Sequence, residues 1–363
     1  MPQRAPETEN AGGDILKAVP EQDFSVPPEG GSTNVETRLE RLAGYITPNR
    51  LFYVRSHCPT PRIDTADWRL RIEGNAVQRP FELDYDTLAS LPQVSVIRAI
   101  ECAGNARSFF AREFGQAADG AQWGQGAIGV AEWTGVRLRD LLDQAGLNAD
   151  AHDVLPEALD EKRYGRPLPI EKAMADDTLV ALAMNGEPLP ADHGFPARLI
   201  VSGWLGAASV KWLGRIVVDN RPLHTHWNTH DYTLAGPAYP AIGPADGIPI
   251  RTMPVMSVTE LAWNAQLSAG PQRIRGRAFS GEGRVRAVQY RLDDGPWQEA
   301  ELGEPNIPAA WVRWSFAWQA TPGEHVLRVR AIDANGQAQP EHVEWNDHGC
   351  LYHAVVTHPF RVV

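Results

Sequence analysis

The stretch AIECAGNARSFF, residues 99–110, places Cys102 between an apolar run and a Gly104-Asn105 turn, with Arg107 five residues further on. Three chemistries suit such a cysteine. It can be a buried small hydrophobe, the commonest fate of a free thiol. It can be a nucleophile, with a histidine as base and Arg107 favouring the thiolate. It can be a thiolate ligand to a metal. The glycine in the turn lets another group approach the backbone closely, which a purely structural cysteine does not need. One thiolate cannot hold a metal by itself, so the remaining ligands would have to come from a cofactor. The nucleophile reading has eleven histidines to draw on but no local protease signature.

The other cysteines, Cys58 and Cys350, are far apart, and three widely spaced thiols do not make a disulfide framework. There is no CxxC zinc pair and no CxxCH haem attachment site. HTHWNTHDY (224–232) offers His224, His226 and His230, but the spacing fits no standard zinc pattern. These histidines read as structure or as the rim of a pocket.

The elements that must position such a site can be read from the pattern. VSVIRAIEC (94–102) is a strand entering the turn. RLFYVRSH (50–57) and WRLRIEG (68–74) alternate like strands, and LDYDTLASLP (83–92) reads as a short capped helix. GVRLRDLLDQAGL (135–147) has a helical period, with Gly146 as its stop. FPARLIVSGW (195–204) and GRIVVDN (214–220) read as buried strands. Short mixed elements with much loop predict an α+β domain over 45–235, preceded by an arm over 1–44. The segment 236–249 is linker-like in its proline and glycine content. Residues 250–363 are strand runs split by Asp294-Gly295, Pro322-Gly323 and Asn335-Gly336, which predicts an all-β immunoglobulin-like sandwich without the inter-sheet disulfide. Trp311, Trp314 and Trp318 on one strand read as core or interface.

Composition narrows the function classes. The 363 residues carry 34 basic and 45 acidic side chains, a formal charge of −11, which argues against a general nucleic-acid binder. No run of about 18 apolar residues occurs, so no membrane-spanning helix is expected. The N-terminus has neither a signal-peptide core nor a twin arginine. The chain as written reads as cytoplasmic, or as periplasmic if a signal was removed.

Several stretches together resemble one family. CAGNARSFF is similar to the Cys-Ala-Gly-Asn-Arg-Arg motif of the sulfite oxidase family of molybdenum enzymes. LFYVRSHCPTP (51–61), WGQGAIGVAEWTGVRLRDLLDQAG (123–146) and MNGEPLPADHGFPARLIVSGWLGAASVKWLGRI (184–216) resemble family segments in the same order. WNDHGCLYHAVVTHPFRV (345–362) is similar to its last strands. The resemblance implies a sulfite-oxidase-type molybdopterin-binding domain followed by a dimerisation sandwich. It implies molybdenum on a single molybdopterin, with Cys102 as the protein's thiolate to the metal. Arg55 and Arg107 would then face a small, sulfite-like oxyanion substrate. His57, Lys172, His193, Arg198, Ser209 and Lys211 would bind the pterin and its phosphate. The implied reaction is oxygen-atom transfer, sulfite to sulfate, with a nitrate reductase-like or sulfane dehydrogenase-like activity as the alternative. A non-catalytic binding protein that kept the fold and a Cys-His thiol enzyme are the readings outside this class.

The sequence departs from the family pattern at three places. Leu182 stands where the family has an active-site tyrosine, which predicts a roomier and less polar site. Ala106 replaces the first arginine after Cys-Ala-Gly-Asn, and Ser56 replaces the asparagine of Arg-Asn-His. No haem module is visible, so electrons are expected to leave to a separate acceptor such as a cytochrome. The sandwich is expected to form a homodimer, with its tryptophans supplying buried contact.

Overall fold

The computed structural model describes residues 13–363. The first twelve residues of the expected arm lie outside the described residues. The rest of the arm packs on the body through the short strands Phe24–Ser25 and Asn34–Thr37, and Asn34–Val35 pair with Val54–Arg55.

The α+β half is built on two sheets. In the first, Val94–Glu101 runs antiparallel to Ile128–Arg137, which pairs in turn with Thr178–Met184. Arg198–Val201 pairs with the start of Thr178–Met184. In the second, the order is Phe81–Asp84, Arg69–Glu73, Leu213–Asp219, Asp153–Ala158, Leu168–Pro169, with one parallel pair. The helix Tyr85–Ser90 begins where the Asp84 carboxylate accepts the Thr87 amide at 2.8 Å, an ordinary N-cap. The helix Leu138–Ala145 buries Leu138, Leu141, Leu142 and Ala145 on one face and stops at Gly146 with φ 70°. Burial of each such leucine stabilises the fold by about 2 kcal/mol. This helix starts three residues later than its period suggests. Gly135 to Arg137 stay in the sheet, where a Cβ on Gly135 would lie 2.1 Å from the Val180 carbonyl oxygen.

Residues 50–57 are not the strand their alternation predicts. A 3₁₀ turn occupies Asn49–Leu51, and only Val54–Arg55 is paired strand. Leu51, Phe52, Tyr53 and Val54 are all buried, because the segment threads between the body and the arm and has no solvent face.

The proline-rich segment is closed by a small hairpin pairing Thr233–Leu234 with Ile248–Pro249. Beyond it, two antiparallel layers form the sandwich. One contains Met256–Thr259, Gly270–Phe279, Trp311–Ala320 and Glu301–Leu302; the other is built around Gly323–Asp333, Val285–Leu292 and His358–Val362. The expectation that the tryptophans supply dimer contact is corrected for two of them. Trp311 and Trp314 are fully buried within the chain, and Trp311 donates its indole N–H to the Tyr45 carbonyl of the other half at 2.7 Å. Trp318 is partly exposed and packs on His325 and Phe360. Among the described residues no helix is long and apolar enough to cross a membrane.

Candidate active site

Cys102 sits at the end of Val94–Glu101, and the turn after it is stapled by Asn105. The Asn105 side chain donates to Glu101 Oε1 at 3.0 Å and accepts the Ala127 amide at 3.1 Å, while the Cys102 amide donates to the Ala127 carbonyl at 2.9 Å. Ala106 takes φ 63°, held by its amide on the Gly124 carbonyl. The Gly104 amide donates to the Cys102 sulfur at 3.4 Å. Burial pushes the thiol pKa up, against the pull of Arg55 and then Arg107 toward the thiolate.

Cys102 lies in the wall of a cavity of about 690 Å³, counted with its open mouth, between the two sheets. The same cavity is lined by Arg55, His57, His193, Arg198, Ser209 and Lys211. Two expected residues lie elsewhere. Arg107 packs beneath the turn, donating to the Gly349 and Ala121 carbonyls at 3.1 and 3.0 Å, with its other nitrogen 3.9 Å from the Cys350 sulfur. A Cβ on Gly104 would stand 2.7 Å from this guanidinium, so the glycine makes room for Arg107 rather than for a ligand. Lys172, on the short helix Ile170–Ala173, turns to Asp177 at 4.0 Å and does not line the cavity. Asp177 draws it there, together with Arg98.

The cavity's cations are held by neutral groups. Arg198 donates to the Ser209 and His193 carbonyls at 3.3 and 3.2 Å and lies 5.3 Å from the Trp133 ring centroid. Lys211 donates to the Asp192 carbonyl at 2.9 Å and to the Ser56 hydroxyl, and sits over Trp212. None of the ion pairs among the described residues involves Arg55, Arg198 or Lys211. Burial lowers Lys211 to about 7, helped by Arg198, and lowers Arg198 to about 10. Burial and then the nearby Lys17, Arg198 and Lys211 hold His193 well below its ordinary pKa, so its ring is neutral. His57 is held down to about 2 by burial and then by Arg55.

Sequence reasoning missed the aromatic wall. Tyr164 and Tyr232 line the cavity, and the Tyr232 hydroxyl is 2.9 Å from His57 Nε2. Trp227 packs against both, with its ring centroid 4.3 Å from His57 and 4.7 Å from Tyr164. Trp227 and Tyr232 stand in the HTHWNTHDY stretch, so a signal was present between the histidines. Of those histidines, His226 pairs with Asp231 and His230 with Asp246. Leu182 is buried in the main core and does not line the cavity, so phenol hydroxyls reach the site from other positions.

The donor set fits a polyanionic heterocycle carrying a soft metal. Among the described residues no three His, Cys, Asp or Glu side chains converge on a metal position, so a metal at Cys102 needs ligands brought by a cofactor. His193 Nε2 is buried with no hydrogen-bond partner, an orphan acceptor that a ring N–H can satisfy. Arg198 and Lys211, neither of them in a direct ion pair among the described residues, suit a phosphate. A Cβ on Gly194, whose φ is 113°, would lie 3.0 Å from Arg198 Cβ and 3.2 Å from Lys211 Cα, so glycine lets this turn pack against both residues.

This combination of fold and site defines a molybdopterin-binding oxidoreductase with an appended β-sandwich. Residues 57–227 match the oxidoreductase molybdopterin binding domain, and residues 249–359 match the Mo-co oxidoreductase dimerisation domain. The chain is 37% identical to mitochondrial sulfite oxidase of Mus musculus over 344 residues, 88% of this chain and 62% of that protein. It is 35% identical to sulfite oxidase of Gallus gallus over 341 residues, 88% of this chain and 74% of that one. Its fold is similar to the solved sulfane dehydrogenase SoxCD of Paracoccus pantotrophus, with TM-score 0.80, 28% identity, and coverage of 94% and 90% of the two chains. The chain therefore belongs to the sulfite oxidase family of Mo-molybdopterin oxidoreductases. It spans a little over three fifths of the length of the mammalian relatives it matches.

Proposed function

We propose that the chain oxidises sulfite to sulfate by oxygen-atom transfer, passing electrons to an external one-electron acceptor such as a cytochrome. The observation that supports this most is a buried thiol in the wall of a cavity whose Arg55, Arg198 and Lys211 make no direct ion pair among the described residues. The bound molybdenum would supply two-electron redox chemistry and the oxygen atom. The chain's own residues do the rest. Cys102 gives the metal its protein ligand, and Arg55, beside His57 at 3.2 Å, offers guanidinium N–H groups to the substrate oxyanion. Arg107 acts from beneath the turn by favouring the Cys102 thiolate. Arg198, Lys211 and the Ser209 region take the phosphate end of the pterin, and the bare His193 nitrogen accepts a ring proton donor. Neutral His57, bonded to Tyr232, orients Arg55. Lys172 is left out of the cradle by its position.

The test is molybdenum per chain in protein from molybdate-supplied cells, followed by sulfite-dependent reduction of a one-electron acceptor. Near one metal atom per chain with turnover supports the proposal; a loaded chain that does not turn over sulfite defeats the substrate assignment. The likeness to SoxCD favours a second reading, a sulfane-sulfur substrate. It predicts a larger kcat/KM for a sulfane compound than for sulfite. We also propose a homodimer through the sandwich, checked by a light-scattering mass near twice the 40.0 kDa of one chain.

A further inference from the structure

We infer that the N-terminal arm is a latch on the cofactor cradle: the main-chain amides of Leu16 and Lys17 position the Asp192–His193 turn, and a filled cradle holds the arm closed. This rests on the molybdenum cofactor reading above. The Asp192 carboxylate is buried at 1% exposure. It accepts the Leu16 amide at 2.9 Å, the Lys17 amide at 2.8 Å and the Thr60 hydroxyl at 2.7 Å. Thr60 itself is tied to the arm, its amide donating to the Asp14 carbonyl at 2.9 Å. Among the described residues, each side-chain bond of Asp192 thus comes from the arm or from a residue the arm holds.

Asp192 stands next to His193 and also offers its main-chain carbonyl to Lys211. The arm reaches His193 from a second side. The Lys17 ammonium donates to the Phe52 carbonyl, and the Phe52 ring packs edge-on against His193 at 5.4 Å. Ile15 is buried with Phe24, Val35 and Val54, and Leu16 is buried too, so the arm has an apolar anchor. Were the arm to lift, a buried carboxylate would lose two charge-assisted hydrogen bonds, and the turn would have to move to find water. A ligand gripping His193 and Lys211 holds the turn in the arrangement that the arm also requires. Such coupling is reciprocal: whatever the arm adds to cofactor binding, the cofactor adds to arm closure.

The test uses the full chain, made with and without cofactor. Hydrogen exchange at the Leu16 and Lys17 amides is expected to be at least about tenfold slower in the molybdenum-loaded protein. Lys17→Pro removes one donor, whereas Lys17→Met keeps it. Below their melting temperatures, Lys17→Pro is expected to release molybdenum and pterin at least about tenfold faster than wild type, and Lys17→Met, which keeps the amide and loses only the ammonium's bond to Phe52, clearly more slowly than Lys17→Pro. Equal exchange with and without cofactor, or wild-type release from a folded Lys17→Pro chain, overturns the latch alone. A wild-type chain that never holds molybdenum overturns the cofactor reading and the latch with it.

Discussion

Two buried arginines in this molecule are treated in opposite ways. In the sandwich, Arg277 is paired with Glu260 at 3.0 Å, donates to the Leu42 and Gly44 carbonyls, and lies 4.2 Å from the Trp311 centroid. In the cavity, Arg198 has only carbonyls and an aromatic face, with no ion pair among the described residues. Burial lowers both to about 10. The first charge is neutralised by the chain and fastens the two halves together. The second has no such partner and, on the proposed function, is left for the cofactor's phosphate. The missing counter-charge is what separates Arg198 from Arg277.

The comparison is broken most directly at Cys102. Cys102→Ser is expected to lower molybdenum from near one atom per chain to near zero, read by elemental analysis, while the fold persists. The two arginines should then give opposite signs in the cofactor-free protein. Arg277→Met leaves the partly buried Glu260 with only Arg313, at 3.7 Å, and is expected to destabilise by about 2 kcal/mol in denaturant melts. Arg198→Met relieves an uncompensated charge and should leave the apoprotein at least as stable, while cofactor content falls about tenfold.

A further contrast concerns Lys17, which burial lowers to about 7 from an ordinary 10.5. Between these values the unfolded chain holds a proton that the folded chain gives up, so folding grows more favourable as pH rises through that window. Lys17→Met removes this dependence. Its stability relative to wild type should be highest at or below pH 7 and fall by about 2 kcal/mol toward pH 9.5, read as apoprotein melts across pH. The smallest effect is expected of Tyr232→Phe. It deletes one neutral hydrogen bond to His57, a loss of about 1 kcal/mol in a denaturant midpoint.

Much of the site was legible because its signals are local. The Cys102 turn is specified within a few residues by Gly104 and Asn105, and the helices Tyr85–Ser90 and Leu138–Ala145 follow from a cap and a period. Arg107 and Lys172 show where local reading stops. Both stand in motif-like stretches, yet the nearest acceptors to Arg107 are carbonyls at Ala121 and Gly349, and Lys172 meets Asp177. The segment 50–57 was misread because alternation assumes one wet face, and the arm removes it.

The sequence by itself determined the thiol at a strand end, the family it resembles, the α+β half and the β-sandwich, since these rest on motifs and periods that neighbouring residues complete. Only the tertiary structure decided which charges go unpaired, which hydroxyls face the cavity, and that the arm grips the cradle. Tyr232 meets His57 across 175 residues, and Leu16 meets Asp192 across 176. Such pairings depend on how the sheets, the arm and the hairpin close on one another, and no local spacing encodes that closure.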